Sequence, residues 1–362
     1  MKERLDRLYN IIEDKKLSGI VLTDGYNIDY LTGYKGHTGM VLMLDKDRFI
    51  LTDSRYTEQA QLEASQFTCV DIGLDGYSKT VRKIMDEKYS NKKDIVLGFE
   101  DKSISYSQYK ALKDNLGDEV QLVELGESIN YLRMVKSQDE IELISKAEAI
   151  GDEAFNHIIN FIEVGMTEKQ VALELEYVMK SLGADGLSFD TIVASGANSS
   201  MPHAVPTDKV IEEGDFVTLD FGCIYNGYCS DMTRTVHMGD EMTEKQLEVY
   251  TIVINAQKLA LMSIKPGMVC SEIDKIARDY IEDAGYGDYF GHGLGHGVGL
   301  YIHEEPRFSR SCDVILQPGM VLSVEPGIYL PGEFGVRIED LIVVTEDGYD
   351  NLSSSPKVLI LM

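Results

Sequence analysis

Two aspartates, Asp220 and Asp231, flank a predicted β-hairpin and are the first side chains whose spacing suggests chemistry. The dipeptide Asn226-Gly227 lies between them, and Asn-Gly is the strongest short signal of a two-residue hairpin loop. With this loop, opposed positions sum to 453, so Asp231 faces Gly222 and projects on the same side as Asp220. Two carboxylates there repel each other unless a cation lies between them. A solvated hairpin face is the alternative, but the apolar neighbours favour a metal site.

Three histidines, His292, His296 and His303, lie in the glycine-rich run from Gly291 to Pro306. The chain has only 7 histidines, so this cluster indicates a site rather than isolated structural residues. Phosphate binding is the alternative for a glycine-rich run. It is disfavoured because there is no G-K-[ST] motif and no sign that a strand leads directly into a helix.

Two glutamates in apolar strands complete the candidate set. Glu325 ends the apolar run of VLSVEPG and Glu339 lies within GVRIEDLIVV, so both are predicted to face an interior. With the two aspartates and His296, they make four carboxylates and one imidazole. Such an oxygen-rich set suits two hard or borderline divalent ions such as manganese, cobalt or zinc. A single structural zinc site would instead favour cysteine ligands.

The hydrophobic pattern predicts two domains that hold these side chains. Residues 1–130 alternate apolar strands with helical patterns, which is typical of a small α/β domain. A second domain is predicted over residues 131–362, because Ser137 and Glu140 form a capping box ahead of a helical pattern that extends to Phe161. In the first domain the predicted strands are 19–22, 40–44, 48–52 and 95–99, and the predicted helices are 2–16, 54–65, 75–88 and 106–116.

The second domain contains a weak internal repeat. A Gly-Met pair, a capped helix and a glycine stop occur twice, with the glycines shifted by 102: Gly165-Met166, Thr167 and Gly183, then Gly267-Met268, Ser271 and Gly285. The run GDFVTLDFG matches GMVLSVEPG at an offset of 105, which aligns Asp220 with Glu325. The repeat predicts two halves related by a pseudo-two-fold axis. Chance similarity between periodic segments is the alternative.

Composition excludes several classes of partner. The chain has 61 acidic and 34 basic side chains and a formal charge of −27, so neither nucleic acid nor an anionic membrane face is an expected partner. Its 5 cysteines are scattered, which suits reduced thiols better than a disulfide framework. We find no signal-peptide pattern and no run of about 18 apolar residues, and we expect a cytoplasmic protein.

The motifs around the candidate ligands resemble those of the pita-bread metallopeptidases, in the family's order. They are LDFG with Asp220, SDMTRT with Asp231, GHGVGLYIHEEP with His296, SVEPGIY with Glu325 and VRIED with Glu339. The resemblance covers most of residues 131–362. In the first domain, DYLTG and LTDSRY resemble the N-terminal domain of the branch that contains aminopeptidase P and prolidase. The resemblance implies a creatinase/prolidase-type N-terminal domain followed by a pita-bread catalytic domain.

The resemblance also implies two divalent ions, with manganese first and cobalt or zinc as alternatives. Asp231 and Glu339 would bridge the ions. Asp220 would complete one ion's site, and His296 and Glu325 the other's. A hydroxide shared by the ions would attack the scissile carbonyl, with Glu325 taking the proton of the water. His296 must be neutral and the metal-bound water ionised for this role, with pKa values of about 6.5 for free imidazole and about 7 for the water, so we expect activity to be low in acid and to rise toward neutral or mildly alkaline pH.

Five further residues receive roles from the resemblance. His203 and His303 would hold the substrate and stabilise the tetrahedral oxyanion, and His292 would line the same pocket. Arg337 would orient a ligand carboxylate. Arg307 would meet a substrate carboxylate, although a solvated charge is the alternative for an arginine that follows proline.

The function implied is hydrolysis of the bond between an N-terminal residue and proline, as in an Xaa-Pro aminopeptidase. An Xaa-Pro dipeptidase (prolidase) is the alternative, and a non-catalytic peptide-binding protein is a further one. The expected partners are short peptides with proline in second position and a second copy of the chain. In that homodimer the loop from Tyr30 to Met40, with His37, would limit peptide length. An ordinary surface turn is the alternative for this loop.

Overall fold

The computed structural model describes residues 1–36, 38–90 and 94–362. The chain divides into two compact units, Met1–Arg133 and Met134–Met362. His37 lies outside the described residues, so its predicted role is not addressed by the structure. Within the described ranges, no helix combines the length and the apolar sequence that crossing a membrane requires.

The first unit is a mixed sheet with surrounding helices. Its elements are α1 (Lys2–Asp14), β1 (Gly19–Leu22), α2 (Gly25–Thr32), β2 (Met40–Leu44), β3 (Asp47–Thr52), α3 (Thr57–Glu63), β4 (Thr68–Asp71), α4 (Gly76–Tyr89), β5 (Ile95–Phe99), α5 (Tyr106–Leu116) and β6 (Val120–Glu124). The strand order is β4-β3-β2-β1-β5-β6. β2 is antiparallel to β1 and β3, and the other pairs are parallel.

The sequence analysis missed α2, β4 and β6. β4 and β6 are the edge strands of the sheet and have exposed residues at several positions, so their apolar signal is weak. α2 is only 8 residues long and depends on a cap: the Asp24 carboxylate accepts the N–H groups of Tyr26 and Asn27. A short helix set by one cap has too few turns to show a periodic pattern.

The second unit holds all the candidate ligands. Its elements are α6 (Gln138–Ile158), α7 (Glu168–Ser181), β7 (Gly186–Leu187), β8 (Ile192–Ser195), β9 (Phe216–Phe221), β10 (Cys223–Tyr225), β11 (Tyr228–Cys229), β12 (Met232–His237), α8 (Glu244–Ser263), α9 (Cys270–Asp283), β13 (Gly295–Gly297), β14 (Glu304–Phe308), β15 (Val321–Val324), β16 (Gly327–Leu330), β17 (Phe334–Arg337), β18 (Asp340–Val344) and β19 (Tyr349–Asn351). α6 begins with the predicted capping box of Ser137 and Glu140 but ends at Ile158, short of Phe161.

Two similar halves make up this unit. One sheet has the order β12-β9-β8, and the strands β13, β15 and β18 are neighbours in the sheet β14-β13-β15-β18-β19. Helices α6 and α7 pack on the first sheet around a core that includes Phe155, Leu175 and Leu219. Helices α8 and α9 pack on the second around a core that includes Val253 and Ile273. Each half therefore has its own hydrophobic core.

Backbone contacts display the predicted repeat. Thr167 forms a β-bridge with Val210, and Val269 forms the equivalent bridge with Ile315, so the two partners are shifted by 102 and 105. The glycine stops also correspond, since Gly183 and Gly285 follow α7 and α9 with φ of 104° and 86°, a conformation that favours glycine. The pseudo-two-fold repeat is confirmed.

One detail of the repeat was wrong. The second helix begins at Cys270 rather than after a Ser271 cap. The backbone N–H of Val269 donates to the Glu272 carboxylate at 3.4 Å, so the capping interaction lies two residues earlier than predicted.

Candidate metal centre

The hairpin of the first half brings Asp220 and Asp231 together as predicted. Tyr225 pairs with Tyr228 at its tip and Thr233 pairs with Asp220 further down, so both pairs follow the predicted register. Asn226 and Gly227 have φ of 50° and 90°, which is the backbone of the two-residue turn that Asn-Gly favours. Both aspartates line one cavity of about 520 Å³.

The second half supplies the other three candidate ligands from adjacent strands. His296 lies on β13, Glu325 directly follows β15 and Glu339 directly precedes β18. β15 pairs with both β13 and β18, and Val324 opposes Asp340, so these three positions lie at one end of the sheet. All three side chains line the same cavity as the aspartates.

Four of the five side chains form a compact cluster, with Asp231, Glu325 and Glu339 around the His296 imidazole. Its Nε2 lies 3.4 Å from Asp231 Oδ2 and 3.4 Å from Glu325 Oε1. Ligand atoms of Asp231, His296 and Glu339 all lie within 4.8 Å of one another. The His296 Nδ1–H donates to the carbonyl of Gly297 at 3.1 Å, which fixes the tautomer and turns the Nε2 lone pair toward the carboxylates.

Burial makes this cluster electrostatically unfavourable without a cation. Burial, followed by repulsion from Glu339 and Asp220, raises the pKa of Asp231 well above its usual range. Burial and the neighbouring carboxylates do the same to the pKa of Glu339, and burial raises the pKa of Glu325 to about 7. Burial also lowers the pKa of His296 to about 3, so the imidazole is neutral at physiological pH. The cluster therefore requires either bound protons or a positive ion.

Two orphaned oxygen atoms indicate that the positive ion is a metal. Among the described residues, Asp220 Oδ1 and Glu339 Oε1 are buried side-chain oxygens without a hydrogen-bond partner. Their other oxygens are held, since Thr233 donates to Glu339 Oε2 at 2.6 Å and Arg337 donates to Asp220 Oδ2. Each carboxylate is thus oriented by one oxygen and presents the other to the cluster. This donor set fits divalent cations.

Arg337 and His292 belong to one hydrogen-bond network beside the cluster. Arg337 donates to Asp220, to Thr233 Oγ1 at 3.1 Å and to the Tyr329 hydroxyl at 2.8 Å. His292 Nδ1–H donates to the Gly293 carbonyl at 2.8 Å, so its Nε2 accepts from the Tyr329 hydroxyl at 2.9 Å. Burial, then the charge of Arg337, lowers the pKa of His292 to about 4, which keeps it neutral. His292 therefore holds Tyr329 and Arg337 in place.

The remaining predicted residues lie on the walls of the cavity. His203, His303 and Arg307 all line it. The rings of His303 and His296 meet edge to face, with centroids 4.6 Å apart. Burial, then the charge of Arg307, lowers the pKa of His303. The Arg307 guanidinium donates to the His303 carbonyl at 2.9 Å, and 38% of its side chain is exposed.

Sequence reasoning missed several positioning residues. Thr233 and Tyr329 lie inside the motifs SDMTRT and SVEPGIY, but only the fold shows that they hold Glu339 and Arg337. Glu148 is fully buried on α6 and accepts the backbone N–H of Asp231 at 3.3 Å. A sequence signal for Glu148 exists, because it interrupts the apolar stripe that the helix would otherwise present.

Glu168 was also missed, and it anchors the wall segment that carries His203. Its buried carboxylate accepts the backbone N–H of Ser195 at 2.7 Å, the Asn198 amide at 3.1 Å, and the Thr207 hydroxyl at 2.6 Å and N–H at 3.0 Å. One side chain therefore closes both ends of the segment 195–207. An acidic residue in the first turn of a helix predicts only a favourable helix-dipole interaction, so the sequence does not reveal this role.

Replacing Glu168 by glutamine should reduce kcat/KM by at least about 10-fold, because an amide cannot accept all of these donors and the His203 segment would shift. Manganese affinity, measured by calorimetry, should stay within about twofold, since the candidate ligands lie on other elements. Exposed Glu163, just ahead of the same helix, provides a matched control as Glu163→Gln. Unchanged kcat/KM would contradict the anchoring role, and an equal loss of metal affinity would indicate a general structural defect.

Both units of the chain match families of known proteins. Residues 142–346 match the model of metallopeptidase family M24, and residues 4–135 match the creatinase/prolidase N-terminal domain. An Xaa-Pro dipeptidase of Pyrococcus furiosus is 40% identical to this chain. The match covers 99% of this chain and 100% of that protein. The solved structure of an Xaa-Pro dipeptidase from Bacillus anthracis is 42% identical, with a TM-score of 0.93 over 100% of this chain and 99% of that one. An X-Pro aminopeptidase structure from Thermotoga maritima is 36% identical, with a TM-score of 0.86 over 96% of this chain and 99% of that one.

The predicted fold class and the predicted family are both confirmed by these matches. The N-terminal domain and the catalytic domain occur in the order that the motifs implied. The chain therefore belongs to metallopeptidase family M24 and is a metal-dependent peptidase.

Proposed function

We propose that the protein is an Xaa-Pro dipeptidase that binds two divalent ions, with manganese as the first candidate. The sequence analysis favoured the aminopeptidase and kept the dipeptidase as its alternative. The names of the relatives support the alternative better, because proteins named Xaa-Pro dipeptidase match at 40% and 42% identity over nearly the whole chain. The choice of manganese and the homodimer rest on the family resemblance and stay predictions.

The observation that carries the proposal is one cavity with a metal-ligand cluster and an arginine in its wall. Arg307 holds the His303 carbonyl with one N–H and has part of its side chain exposed. A guanidinium has five N–H donors, so it can keep that contact and bind a carboxylate through two parallel bonds. A dipeptide has its free carboxylate one residue after the scissile bond, whereas a longer peptide has a neutral amide there.

The cavity residues divide the reaction between them. Bound ions would supply Lewis acidity, which lowers the pKa of water and polarises a peptide carbonyl. Glu325 would accept the proton of the attacking water, since its carboxylate lines the cavity and lies 3.4 Å from the His296 imidazole. His203 and His303 would hold the substrate and donate to the developing oxyanion. Proline suits such a site because its tertiary amide has no N–H for strand-like recognition.

The direct test compares Ala-Pro, Ala-Pro-Ala and a longer Ala-Pro peptide with the manganese-loaded protein. We expect kcat/KM to be largest for the dipeptide by at least about 10-fold, which corresponds to one charge-assisted hydrogen-bond pair. A higher kcat/KM for the tripeptide than for the dipeptide would favour the aminopeptidase hypothesis instead. Two ions per chain without turnover of any of these peptides would favour the non-catalytic alternative.

Replacing Arg307 by glutamine should raise KM for Ala-Pro by about 10- to 100-fold, because the lost contact is with a charged group. Hydrolysis of Ala-Pro amide, which has no carboxylate, should change little in the same variant. Exposed Arg310, three residues further on, serves as the control in the variant Arg310→Gln. If hydrolysis of Ala-Pro and of Ala-Pro amide were impaired equally, Arg307 would not be the residue that binds the substrate carboxylate.

A further inference from the structure

In the second half of the internal repeat, two cysteines occupy the positions that correspond to Glu168 and Thr207, which are hydrogen-bonded to each other in the first half. In the first half the N–H of Glu168 donates to Lys209 O at 3.1 Å and that of Lys169 donates to Thr207 O at 3.2 Å. In the second half Cys270 N–H donates to Val314 O at 2.9 Å and Ser271 N–H donates to Cys312 O at 3.0 Å. The offsets are again 102 and 105. Cys270 is therefore the counterpart of Glu168, and Cys312 is the counterpart of Thr207.

In the first half these two side chains are in direct contact. The Thr207 hydroxyl donates to the Glu168 carboxylate at 2.6 Å, which joins the start of α7 to the end of a cavity-wall segment. In the second half the corresponding side chains are two free thiols, one buried and one partly exposed. The Cys312 thiol interacts with the Cys270 thiol and, after burial, contributes to raising its pKa.

We propose that Cys270 and Cys312 form a reversible disulfide and are a redox modification site of the cavity wall. The two backbone hydrogen bonds hold the segments in the close, antiparallel arrangement that a cross-link requires, next to the bridge of Val269 and Ile315. The inference does not depend on the proposed substrate. The disulfide would correspond, in the second half, to the hydrogen bond between Glu168 and Thr207 in the first half.

The oxidant would be a hydroperoxide that reaches the partly exposed thiol. The Cys312 thiolate attacks one peroxide oxygen, the O–O bond breaks, and Cys312 becomes a sulfenic acid while hydroxide leaves and takes up the thiol proton as water. The sulfur of Cys270 then attacks the sulfenic sulfur, the S–O bond breaks, and a second water leaves with the Cys270 proton. Two thiols and one hydrogen peroxide thus give one disulfide and two waters. A dithiol reverses the bond.

The bond would fix a segment that borders the reaction site. Cys312 follows β14 by four residues, and both the last residue of β14, Phe308, and the first residue of the connection, Ser309, line the cavity. Arg307 lies on β14 itself. Joining Cys312 to the first residue of α9 would tie this wall to the helix, as Glu168 ties the opposite wall to α7.

The test treats the full chain with hydrogen peroxide, removes the peroxide with catalase and counts thiols in denaturant. We expect 5 thiols to fall to three, and dithiothreitol to restore all 5. A non-reducing digest should give one cross-linked species that contains Cys270 and Cys312. The Cys312→Ser variant should keep its four thiols, whereas Cys69→Ser, which removes a partly exposed thiol of the first unit, should lose two of four.

The oxidised protein should also unfold at a higher temperature, by about 5 °C, because the bond closes a long loop. Retention of all thiols, a cross-link between other cysteines, or over-oxidation of Cys312 without a cross-link would overturn the proposal. An unchanged unfolding temperature in the cross-linked protein would overturn the anchoring role of the bond.

Discussion

Replacing Asp231 by asparagine should lower kcat by at least about 100-fold, the loss that follows removal of a single ligand or oxyanion group. Asp231 comes from the first half, lies 3.4 Å from His296 of the second half and is 96% buried, so solvent has little access to compensate for the lost charge. A carboxylate has two anionic oxygens that can serve two ions, whereas an amide offers one neutral oxygen. Retained activity within about tenfold of the wild type would contradict the bridging role.

The fold of this variant should survive. Burial and neighbouring carboxylates already make the charge of Asp231 unfavourable in the metal-free protein, so a neutral isostere removes repulsion. We expect the metal-free variant to unfold at the same temperature as the wild type or higher, but to lose the stabilisation that added manganese gives. Asp240→Asn, at an exposed position three residues after the end of β12, is the matched control.

Manganese binding should release protons, and its affinity should rise steeply with pH. In the metal-free cluster, burial raises the pKa of Glu325 to about 7 and raises those of Asp231 and Glu339. Any proton that these carboxylates hold must be displaced by the metal. For each proton displaced, the affinity should change by about 10-fold per pH unit, and the pKa of Glu325 places this range below about pH 7. Calorimetry in buffers of different ionisation enthalpy measures the number of protons directly.

The activity profile should show the same competition. The acid limb should move to lower pH as manganese is increased, and an acid limb that stays fixed over a hundredfold range of metal would contradict this account. Because burial lowers the pKa of His296 to about 3 and raises that of Glu325 to about 7, competition at Glu325 should contribute more to the acid limb than protonation of the imidazole.

Stability should follow the opposite trend in the metal-free protein. A carboxylate whose pKa is raised on folding favours the folded chain below its unfolded pKa of about 4.5, and this contribution is lost as pH rises through the folded value. For Glu325 the window is therefore about pH 4.5 to 7. The rise in unfolding temperature on adding manganese should consequently be larger at pH 8 than at pH 5.5.

The parts of the site that the sequence predicts best are those set by local geometry. The Asn226-Gly227 turn fixes the register of its hairpin, and alternation of side chains then places Asp220 and Asp231 on one face, as the structure shows. The repeat likewise predicts the alignment of Asp220 with Glu325. The hairpin rule spans only a few residues, whereas the repeat relates residues 105 apart because two segments of the sequence are similar.

Long-range partners were beyond such rules. The contact of Thr233 with Glu339 joins residues 106 apart in sequence, and that of Glu168 with Thr207 joins residues 39 apart. Nothing in the local pattern distinguishes Glu168 from an ordinary acidic residue at a helix start. The same limit applies to substrate length, because it depends on which groups face the far end of the cavity rather than on the ligand motifs.

The repeat has a consequence for the chemistry that one chain can support. In a symmetric pair of identical half-length proteins, every side chain at the axis would have to occur twice, and both sides would offer the same groups. Covalent fusion removes that constraint, so one half can contribute Asp220 where the other contributes Glu325, and an imidazole is needed from one side only. The two fused halves therefore resemble the subunits of a heterodimer. Each half can acquire different substitutions while both continue to contribute side chains to the site between them.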